Sequence, residues 1–301
     1  MRYLPTSLLK LGICVGAALA SGSIAFAGDA GSTRLAADAG NSWTLSATPY
    51  GWLPFLNGDV TIKGRTADID VTPIEVLEHL DAAPWMSYVE ARKGRLTFYN
   101  DIFYAKLDAD ADRARSFDRA SLNVAADVNI ELAIIEAGAT YELARWYYGG
   151  GGIKDGTPAR VTALDLVLGA RYWHQEMSLR LGLTAAFDTT GLDISGSRAI
   201  ARGGDVDWVD PLVGLRIRHQ LAPGQELMFR ADVGGFDVGS RISWNVTGAY
   251  GWDFAVRNGV TYSGMLGYRA LSVDYTKGSG LERYEYDVVM HGPVVGLSVK
   301  F

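Results

Sequence analysis

The stretch that decides the fold class is Gly292-Pro293-Val294-Val295-Gly296-Leu297-Ser298-Val299-Lys300-Phe301. Counting back from the last residue, every second position to Pro293 is apolar, small or polar residues lie between them, and Val294 is the one exception. A period of two is typical of a β-strand that has one apolar face and one polar or small face.

The same alternation recurs along the chain. Its clearest instance runs from Ile242 to Phe254, where an aromatic and aliphatic face opposes a face of Ser, Asn, Thr, Ala, Gly and Asp. Similar patterns begin near Ile135, Leu164 and Leu227. This period excludes a helical bundle and predicts an all-β protein. It predicts about ten strands: 43–56, 83–92, 95–108, 122–145, 161–180, 206–221, 225–238, 240–255, 260–277 and 284–301.

Short connections at 92–95, 222–225 and 256–259 contain Gly or Pro-Gly and predict tight hairpin turns. The longer connections 57–82, 109–121 and 181–205 are then expected at the opposite end of the strands. Residues 58–62 could begin an extra hairpin, so twelve strands are also possible. The stretch 146–160 breaks the short-turn rule.

The first 27 residues predict a cleaved secretory signal peptide. Arg2 and Lys10 precede an apolar core at 11–20, and Ala25-Phe26-Ala27 supplies an A-x-A site. A membrane-spanning helix would need roughly 20 apolar residues. Cys14 lies inside the apolar core, so a lipoprotein box is not favoured. Cleavage removes this only cysteine, and with it any disulfide or cysteine-based metal site.

Export and strand alternation together predict a transmembrane β-barrel in the outer membrane of a Gram-negative cell. A closing strand that ends on an aromatic residue resembles the assembly signal of such barrels, here Val295, Leu297, Val299 and Phe301. We expect a signal peptide at 1–27, a periplasmic lead at 28–42 and one closed antiparallel barrel at 43–301. The expected partners are outer-membrane lipid, lipopolysaccharide and the barrel-assembly machinery, while a net charge of −6 with scattered basic residues argues against nucleic acid.

In such a barrel the apolar face of each strand meets lipid and the polar face meets the lumen, and rings gather at the two interfaces. The residues expected in these aromatic girdles are Trp43, Tyr50, Trp52, Trp146, Tyr147, Tyr148, Tyr172, Trp173, Trp208, Trp244, Trp252 and Tyr262.

The predicted lumen carries charges of both signs. A barrel of about 8 strands is filled by side chains, whereas water-filled porins use about 16 to 18. Charges in a narrow interior must pair. We therefore expect an ion-pair network that fills the lumen, with a narrow polar conduit as the alternative. Its candidate members are Glu90, Arg92, Asp101, Glu136, Glu142, Asp165, Arg171, Arg216, Arg218, Arg230, Asp232 and Arg269.

The first long connection also predicts a short helix at 73–80. Thr72-Pro73-Ile74-Glu75 supplies an N-cap, a proline in the first turn and a capping-box glutamate. Ile74, Leu77 and Leu80 share one helical face. This helix could cover the barrel mouth, or its apolar stripe could touch lipid A or a partner.

No residue set predicts catalysis, a cofactor or a metal. The chain has four histidines, and a lipid hydrolase centred on His174 would need a positioned serine, for which Ser178 and Ser195 have no motif. His79 and His219 are read as solvent-edge or girdle residues, and His291 as the mark of a β-bulge. Residues 108–119 imitate a calcium loop but have Arg113 and Arg119 where Gly and Glu are required. Gly149 to Gly156 lack the context of a phosphate loop.

Five segments together resemble a family of uncharacterised proteobacterial outer-membrane β-barrel proteins. The resemblance implies a single barrel domain and no particular activity. The segments are Trp52-Leu53-Pro54 with Asn57-Gly58-Asp59-Val60, Gly169-Ala170-Arg171-Tyr172-Trp173, Asp207-Trp208-Val209-Asp210-Pro211, Gly234-Gly235-Phe236 with Gly239-Ser240, and Gly267-Tyr268-Arg269-Ala270-Leu271-Ser272-Val273-Asp274-Tyr275.

The sequence therefore predicts a non-enzymatic integral barrel with a structural or interaction role and a side-chain-filled lumen. A narrow channel for small solutes and a lipid-modifying enzyme are the two alternatives.

Overall fold

The structure is a computed structural model that describes residues 42–62, 64–117, 120–148, 160–189 and 192–301. It describes the backbone alone at 62, 65, 67, 109–117, 120–128, 179–189, 192–203 and 281. The predicted signal peptide, nearly all of the predicted periplasmic lead and the glycine-rich stretch 149–156 lie outside these ranges.

Within these ranges, twelve antiparallel strands form one sheet, and ten of them close into a barrel. The sheet closes because β12 pairs with β1 from Ser46↔Lys300 to Trp52↔Val294. The predicted fold class, a closed antiparallel barrel of about ten strands, is confirmed. The strands are β1 Thr44–Trp52, β2 Phe55–Ile62, β3 Arg65–Val71, β4 Trp85–Lys93, β5 Leu96–Phe117, β6 Ala120–Tyr148, β7 Arg160–Thr189, β8 Leu192–Ala222, β9 Gln225–Gly235, β10 Ile242–Arg257, β11 Val260–Lys277 and β12 Tyr284–Lys300.

The strand predicted at 43–56 is interrupted at Leu53-Pro54. Both halves lie along β12, because β1 pairs with its last residues and β2 with its first, from Phe55↔His291 to Ile62↔Tyr284. The interruption faces Gly292, where a Cβ atom would collide with the Leu53 carbonyl oxygen. β2 and β3 form the extra hairpin that residues 58–62 suggested, and they account for the count of twelve.

The regions 109–121 and 181–205 were expected to be loops, and that expectation is wrong. β5 pairs with β6 as far as Phe117↔Ala120, and β7 pairs with β8 as far as Thr189↔Leu192. No proline interrupts either region, so main-chain pairing continues beyond the barrel wall although the sequence there is polar. β9 leaves β8 at Leu212↔Gly234, so the outer part of β8 pairs with β7 alone.

These long hairpins define the two ends of the barrel. We call the end that bears them the hairpin end, and the end that bears Thr44 and Lys300 the terminal end. The three predicted tight turns lie at the terminal end, where Gly94, Gly224 and Gly259 adopt positive φ angles of 58°, 70° and 80°. Such angles suit glycine because it has no Cβ atom.

One short helix, α1 at Pro73–Glu78, follows β3 at the hairpin end. The Thr72 hydroxyl accepts a hydrogen bond from the Glu75 backbone N–H, and the Glu75 carboxylate accepts one from the Thr72 N–H at 2.7 Å. This is the predicted capping box. After α1, Leu80 forms a bridge with Leu107 of β5, which fixes the segment against the barrel wall. Within the described residues, no helix is long and apolar enough to cross a bilayer.

The outer face of the barrel is an apolar belt. On β8 it runs from Val209 to Ile217, which matches the roughly 9–11 residues that a tilted strand needs to cross a bilayer. Leu168, Phe229, Leu266 and Leu297 expose about half of their surface on neighbouring strands. A monomeric water-soluble protein does not usually expose so large an apolar surface.

Candidate functional site

The candidate site is the barrel lumen, because strand alternation directs a large set of charged side chains into it. The structure places all twelve predicted network residues on the inward face, and all except Glu90 are buried. Their side chains form two clusters of ion pairs and a third, smaller group around Arg269, which we call the side arm. We call the three groups together the polar layer.

The central cluster surrounds Glu136 of β6, which is 1 % exposed. Arg171 Nη2 lies 2.8 Å from Glu136 Oε2 and 2.7 Å from Asp232 Oδ1. Arg230 also pairs with both carboxylates and lies 2.9 Å from Asp232 Oδ2. Asn245 donates to Asp232 at 2.9 Å. Two arginines and two carboxylates from three strands therefore neutralise each other in the middle of the lumen.

The second cluster lies nearer the terminal end. Asp165 Oδ2 is 2.9 Å from Nε of both Arg216 and Arg218. Arg216 also pairs with Glu90 of β4, across the lumen. Glu142 Oε2 accepts from Arg92 at 2.8 Å, from Arg145 at 2.7 Å and from Arg218 at 3.5 Å..

The side arm connects the layer to the seam of the barrel. Arg269 Nη1 lies 2.9 Å from Asp101 Oδ2, and its Nε donates to Asn245 at 3.1 Å. The Tyr50 hydroxyl donates to the other Asp101 oxygen at 2.7 Å. With this arm, every barrel strand except β12 contributes a side chain to the polar layer. Each carboxylate is held by arginine or by several donors, an arrangement that suits a rigid partition better than proton transfer.

A second layer lies in the lumen toward the hairpin end, and sequence analysis missed it. Trp173 and Trp208 stack with ring centres 5.5 Å apart, and Tyr275 stacks on Trp208 at 4.0 Å. Trp52 meets Phe103 edge-to-face at 5.6 Å. These rings belong to a buried apolar cluster whose other members are Val60, Met86, Ala105, Leu132, Ile134, Val206, Leu271, Val273, Tyr286, Val288, Met290 and Val294.

The aromatic layer corrects two expectations. Tyr50, Trp52, Trp173 and Trp208 were expected in the girdles but lie inside the barrel. The inward face was also expected to be polar throughout, whereas toward the hairpin end it is apolar. The signal was present, because Trp173 lies two residues from Arg171 and Trp208 two residues from Asp210, on the same strand faces.

Trp43, Trp146, Tyr148 and Trp252 remain exposed on the outside, as girdle residues would be, whereas Tyr147 is exposed but shares the strand face of buried Val161. Tyr172 also lies on the outward face, where its hydroxyl donates to Asp207 at 2.7 Å.

Asp210 is a buried carboxylate that the predicted set omitted. It accepts hydrogen bonds from the Ser240 backbone N–H at 2.6 Å and from the Ser240 hydroxyl at 2.7 Å. It thereby fastens the β9–β10 connection to β8. Asp210 and Arg216 lie an even number of residues apart on β8 and therefore share its inward face. The period of two could have identified Asp210 as a luminal residue.

The four histidines occupy structural positions. His174 lies on the outward face with Nδ1 2.6 Å from Asp207 Oδ1, and among the described residues no serine, threonine or cysteine hydroxyl or thiol bonds to its ring. His219 bonds to Thr162, and His79 ends α1. His291 marks no bulge, which corrects that expectation: β11 and β12 pair without a register shift, and its ring bonds to Tyr268 at 2.7 Å.

No group of three or more potential metal ligands occurs among the described residues. In the segment that imitates a calcium loop, residues 108–117 lie in the long strand β5, where the backbone is extended, and 118–119 lie outside the described residues. Of the predicted assembly-signal residues, Val295, Leu297 and Val299 lie on β12 between β11 and β1, with Val295 and Leu297 facing outward, and Phe301 directly follows the strand. Phe301 exchanges backbone hydrogen bonds with Leu45.

No family model matches the chain, and no curated protein does. Among solved structures it is similar to a FadL homologue of Pseudomonas aeruginosa, with 9 % identity and a TM-score of 0.24 over 86 % of this chain and 89 % of that one. OccK2 (OpdF) of the same organism has 10 % identity and a TM-score of 0.21, over 86 % of this chain and 98 % of that one. The toluene transporter TodX of Pseudomonas putida has 9 % identity and a TM-score of 0.22, over 86 % of this chain and 88 % of that one. Similarity at this level defines no ligand for this chain. The assignment of a barrel depends on the strand pairing within this chain.

Proposed function

We propose that this chain is an integral outer-membrane β-barrel with an occluded lumen and a structural or interaction role. The observation that carries the proposal is the closure of the lumen by two successive layers, one of ion pairs and one of aromatic rings. Arg269 joins them, since its guanidinium carbon lies 5.0 Å from the centre of the Trp52 ring.

The outward apolar belt supports placement in a membrane. Only hydrocarbon makes such a belt favourable, and a closed barrel satisfies every backbone polar group within it. The polar trio Tyr172, His174 and Asp207 lies just beyond Val209 and would mark the edge of the belt on the hairpin side. An outer-membrane location, after removal of a signal peptide, agrees with the predicted export signal.

The two ends would then face different compartments. Short turns and chain termini are typical of the periplasmic side of such barrels, and long connections of the outer side. The long hairpins would meet lipopolysaccharide or another partner outside the cell. β12, with its outward Val295 and Leu297, would be the strand that the barrel-assembly machinery reads.

Conductance in planar bilayers tests the occluded lumen. The mature chain, folded and checked by heat-modifiable gel mobility, should insert without stable single-channel steps, because the paired charges and the aromatic layer would together block ion flow. A general porin reconstituted in the same bilayers serves as the control. Reproducible unitary steps from the folded chain would contradict the proposal and favour the narrow channel.

The enzymatic alternative has weaker support. His174 has an orienting carboxylate in Asp207, but a hydrolase also needs a nucleophile within hydrogen-bond reach of the same ring. We therefore propose no catalytic residue. Mass spectrometry of lipid A from cells with and without the protein should give identical profiles, and a modified lipid would overturn this view.

A further inference from the structure

A cavity of about 220 Å³ opens from the terminal end of the lumen and ends at the polar layer. We call it the vestibule. Its mouth is formed by Thr44, Ser46, Ser298 and Lys300. The aromatic layer lies beyond the polar layer, so the vestibule is a blind pocket.

Three arginines line the vestibule with hydrogen-bond donors to spare. Nη1 of Arg218, Nη1 of Arg230 and Nη2 of Arg269 make no hydrogen bond with any described residue, although the other nitrogens of each guanidinium are held. None of the three nitrogens is enclosed by protein, in contrast to Nη1 of Arg171. Because all three side chains line the cavity, the space open to these donors is the vestibule.

The balance of buried charge favours an anion. Among the described residues, the polar layer contains one more arginine than paired carboxylates, and Glu226 and Lys300, which also line the vestibule, add one charge of each sign, so the excess is positive. The arginines of the layer are Arg92, Arg145, Arg171, Arg216, Arg218, Arg230 and Arg269, and its paired carboxylates are Glu90, Asp101, Glu136, Glu142, Asp165 and Asp232.

One part of the vestibule wall is apolar. Met228, Ala249, Met265 and Val294 lie on the four consecutive strands β9 to β12 and line the cavity. A ligand that fits both walls has an anionic group for the arginines and a hydrocarbon body for the methionines. The cavity is smaller than the roughly 300–1,000 Å³ of a drug-sized site, so the ligand is small.

We propose that the vestibule binds a small organic carboxylate from the periplasm. The planar fork of arginine matches a carboxylate, and donors in a partly enclosed site are worth more than donors in water. The direction of entry rests on the proposed membrane orientation, whereas binding itself does not.

Isothermal titration of the folded chain in neutral detergent tests the site, with benzoate as the probe and benzyl alcohol as its uncharged counterpart. Benzoate should bind saturably at one site. Benzyl alcohol should bind about tenfold more weakly or not at all, because it loses charge-assisted hydrogen bonds. Equal affinity for the two, or no saturable heat with benzoate, would overturn the proposal, and so would inorganic phosphate binding as tightly as benzoate.

A pair of alanine variants locates the binding. Ala249→Phe fills the apolar wall and should weaken benzoate binding about tenfold or more. Ala231→Phe adds the same ring to the outward face and should leave it unchanged. Normal binding by a folded Ala249→Phe protein would exclude the vestibule. If that variant does not fold, the comparison of benzoate with benzyl alcohol on the unaltered chain still decides. Single-channel steps would contradict the occluded lumen and leave this titration unaffected.

Discussion

Glu136 holds two arginines inside a barrel from which water is largely excluded. Burying these charges costs several kcal/mol for each ion, and the pairs with Arg171 and Arg230 offset that cost only while all partners are present. Removal of one partner is therefore more damaging than absence of the whole set, since it leaves an uncompensated charge in a place of low dielectric constant.

Glu136→Gln should lower the free energy of unfolding by about 3–5 kcal/mol, because Arg171 and Arg230 would then share Asp232 alone. Chemical unfolding of the barrel in lipid vesicles measures this change. The matched control is Glu226→Gln, since Glu226 lines the vestibule and makes no ion pair with a described residue. That change should stay within about 0.5 kcal/mol. Equal losses in both variants would show that the central pairs are not what stabilises the barrel.

For a single charged residue, the sequence predicts whether the side chain faces the lumen or the lipid, but not which opposite charge it pairs with. A period of two places Arg171, Arg216 and Asp232 on one face of their strands without any structure. Which carboxylate meets which arginine depends on the stagger between strands and on reach across the lumen, as in the Arg216–Glu90 pair. Neither is encoded within one strand.

Helix α1 shows how a few residues specify an element. Its N-terminus is fixed by the reciprocal bonds of Thr72 and Glu75, and it has no buried residue. The backbone N–H and the hydroxyl of Thr72 both hold the pKa of the exposed Glu75 carboxyl below its usual range. Local capping, and not core packing, must therefore maintain this helix.

Thr72→Ala should loosen α1 and leave the barrel intact, because a lost N-cap costs about 1 kcal/mol. Hydrogen exchange at Val76 and His79, whose N–H groups bond to Thr72 and Glu75 carbonyl oxygens, should become about fivefold faster. Exchange in β10 should not change. An unaltered rate at Val76 would mean that the helix is held by contacts other than its cap.

The same contact gives α1 a pH dependence. Because the folded pKa of Glu75 is depressed, its contribution to helix stability is fully present above the ordinary glutamate pKa of about 4.3 and is lost as the pH falls through the folded value. Protection at His79 should thus be constant near neutral pH and decline in acid, after correction for intrinsic exchange. Glu75→Gln should remove the decline, and its persistence in that variant would assign it to another group.

The remaining elements could be predicted in type but not in length. Alternation identified the strands, and Leu53-Pro54 could have suggested the division of the first one. The ends of β5 to β8 could not be found, because strands beyond a bilayer have no apolar face to mark where pairing stops. Polar sequence at 109–121 therefore resembled a loop.

Across the whole molecule, the two luminal layers divide one interior by chemistry. Charges gather where the vestibule admits water to one side of the layer, and rings gather beyond it, where Trp173, Trp208 and Tyr275 stack. Sequence analysis predicted the first layer from its charges. It assigned the rings to girdles because tryptophan near a strand end suits either place, and only the face of the strand distinguishes the two.

The orientation of the barrel decides which compartment the vestibule serves, and labelling can determine it. Because Cys14 is the only cysteine and lies in the predicted signal peptide, single cysteines can be introduced at exposed turn positions. Val238→Cys at the hairpin end should react with a membrane-impermeant maleimide on intact cells. Pro223→Cys, in an exposed turn at the terminal end, should react only after the outer membrane is permeabilised. The reverse pattern would place the vestibule outside the cell, where its arginines would meet environmental anions and the anionic groups of lipopolysaccharide instead of periplasmic solutes.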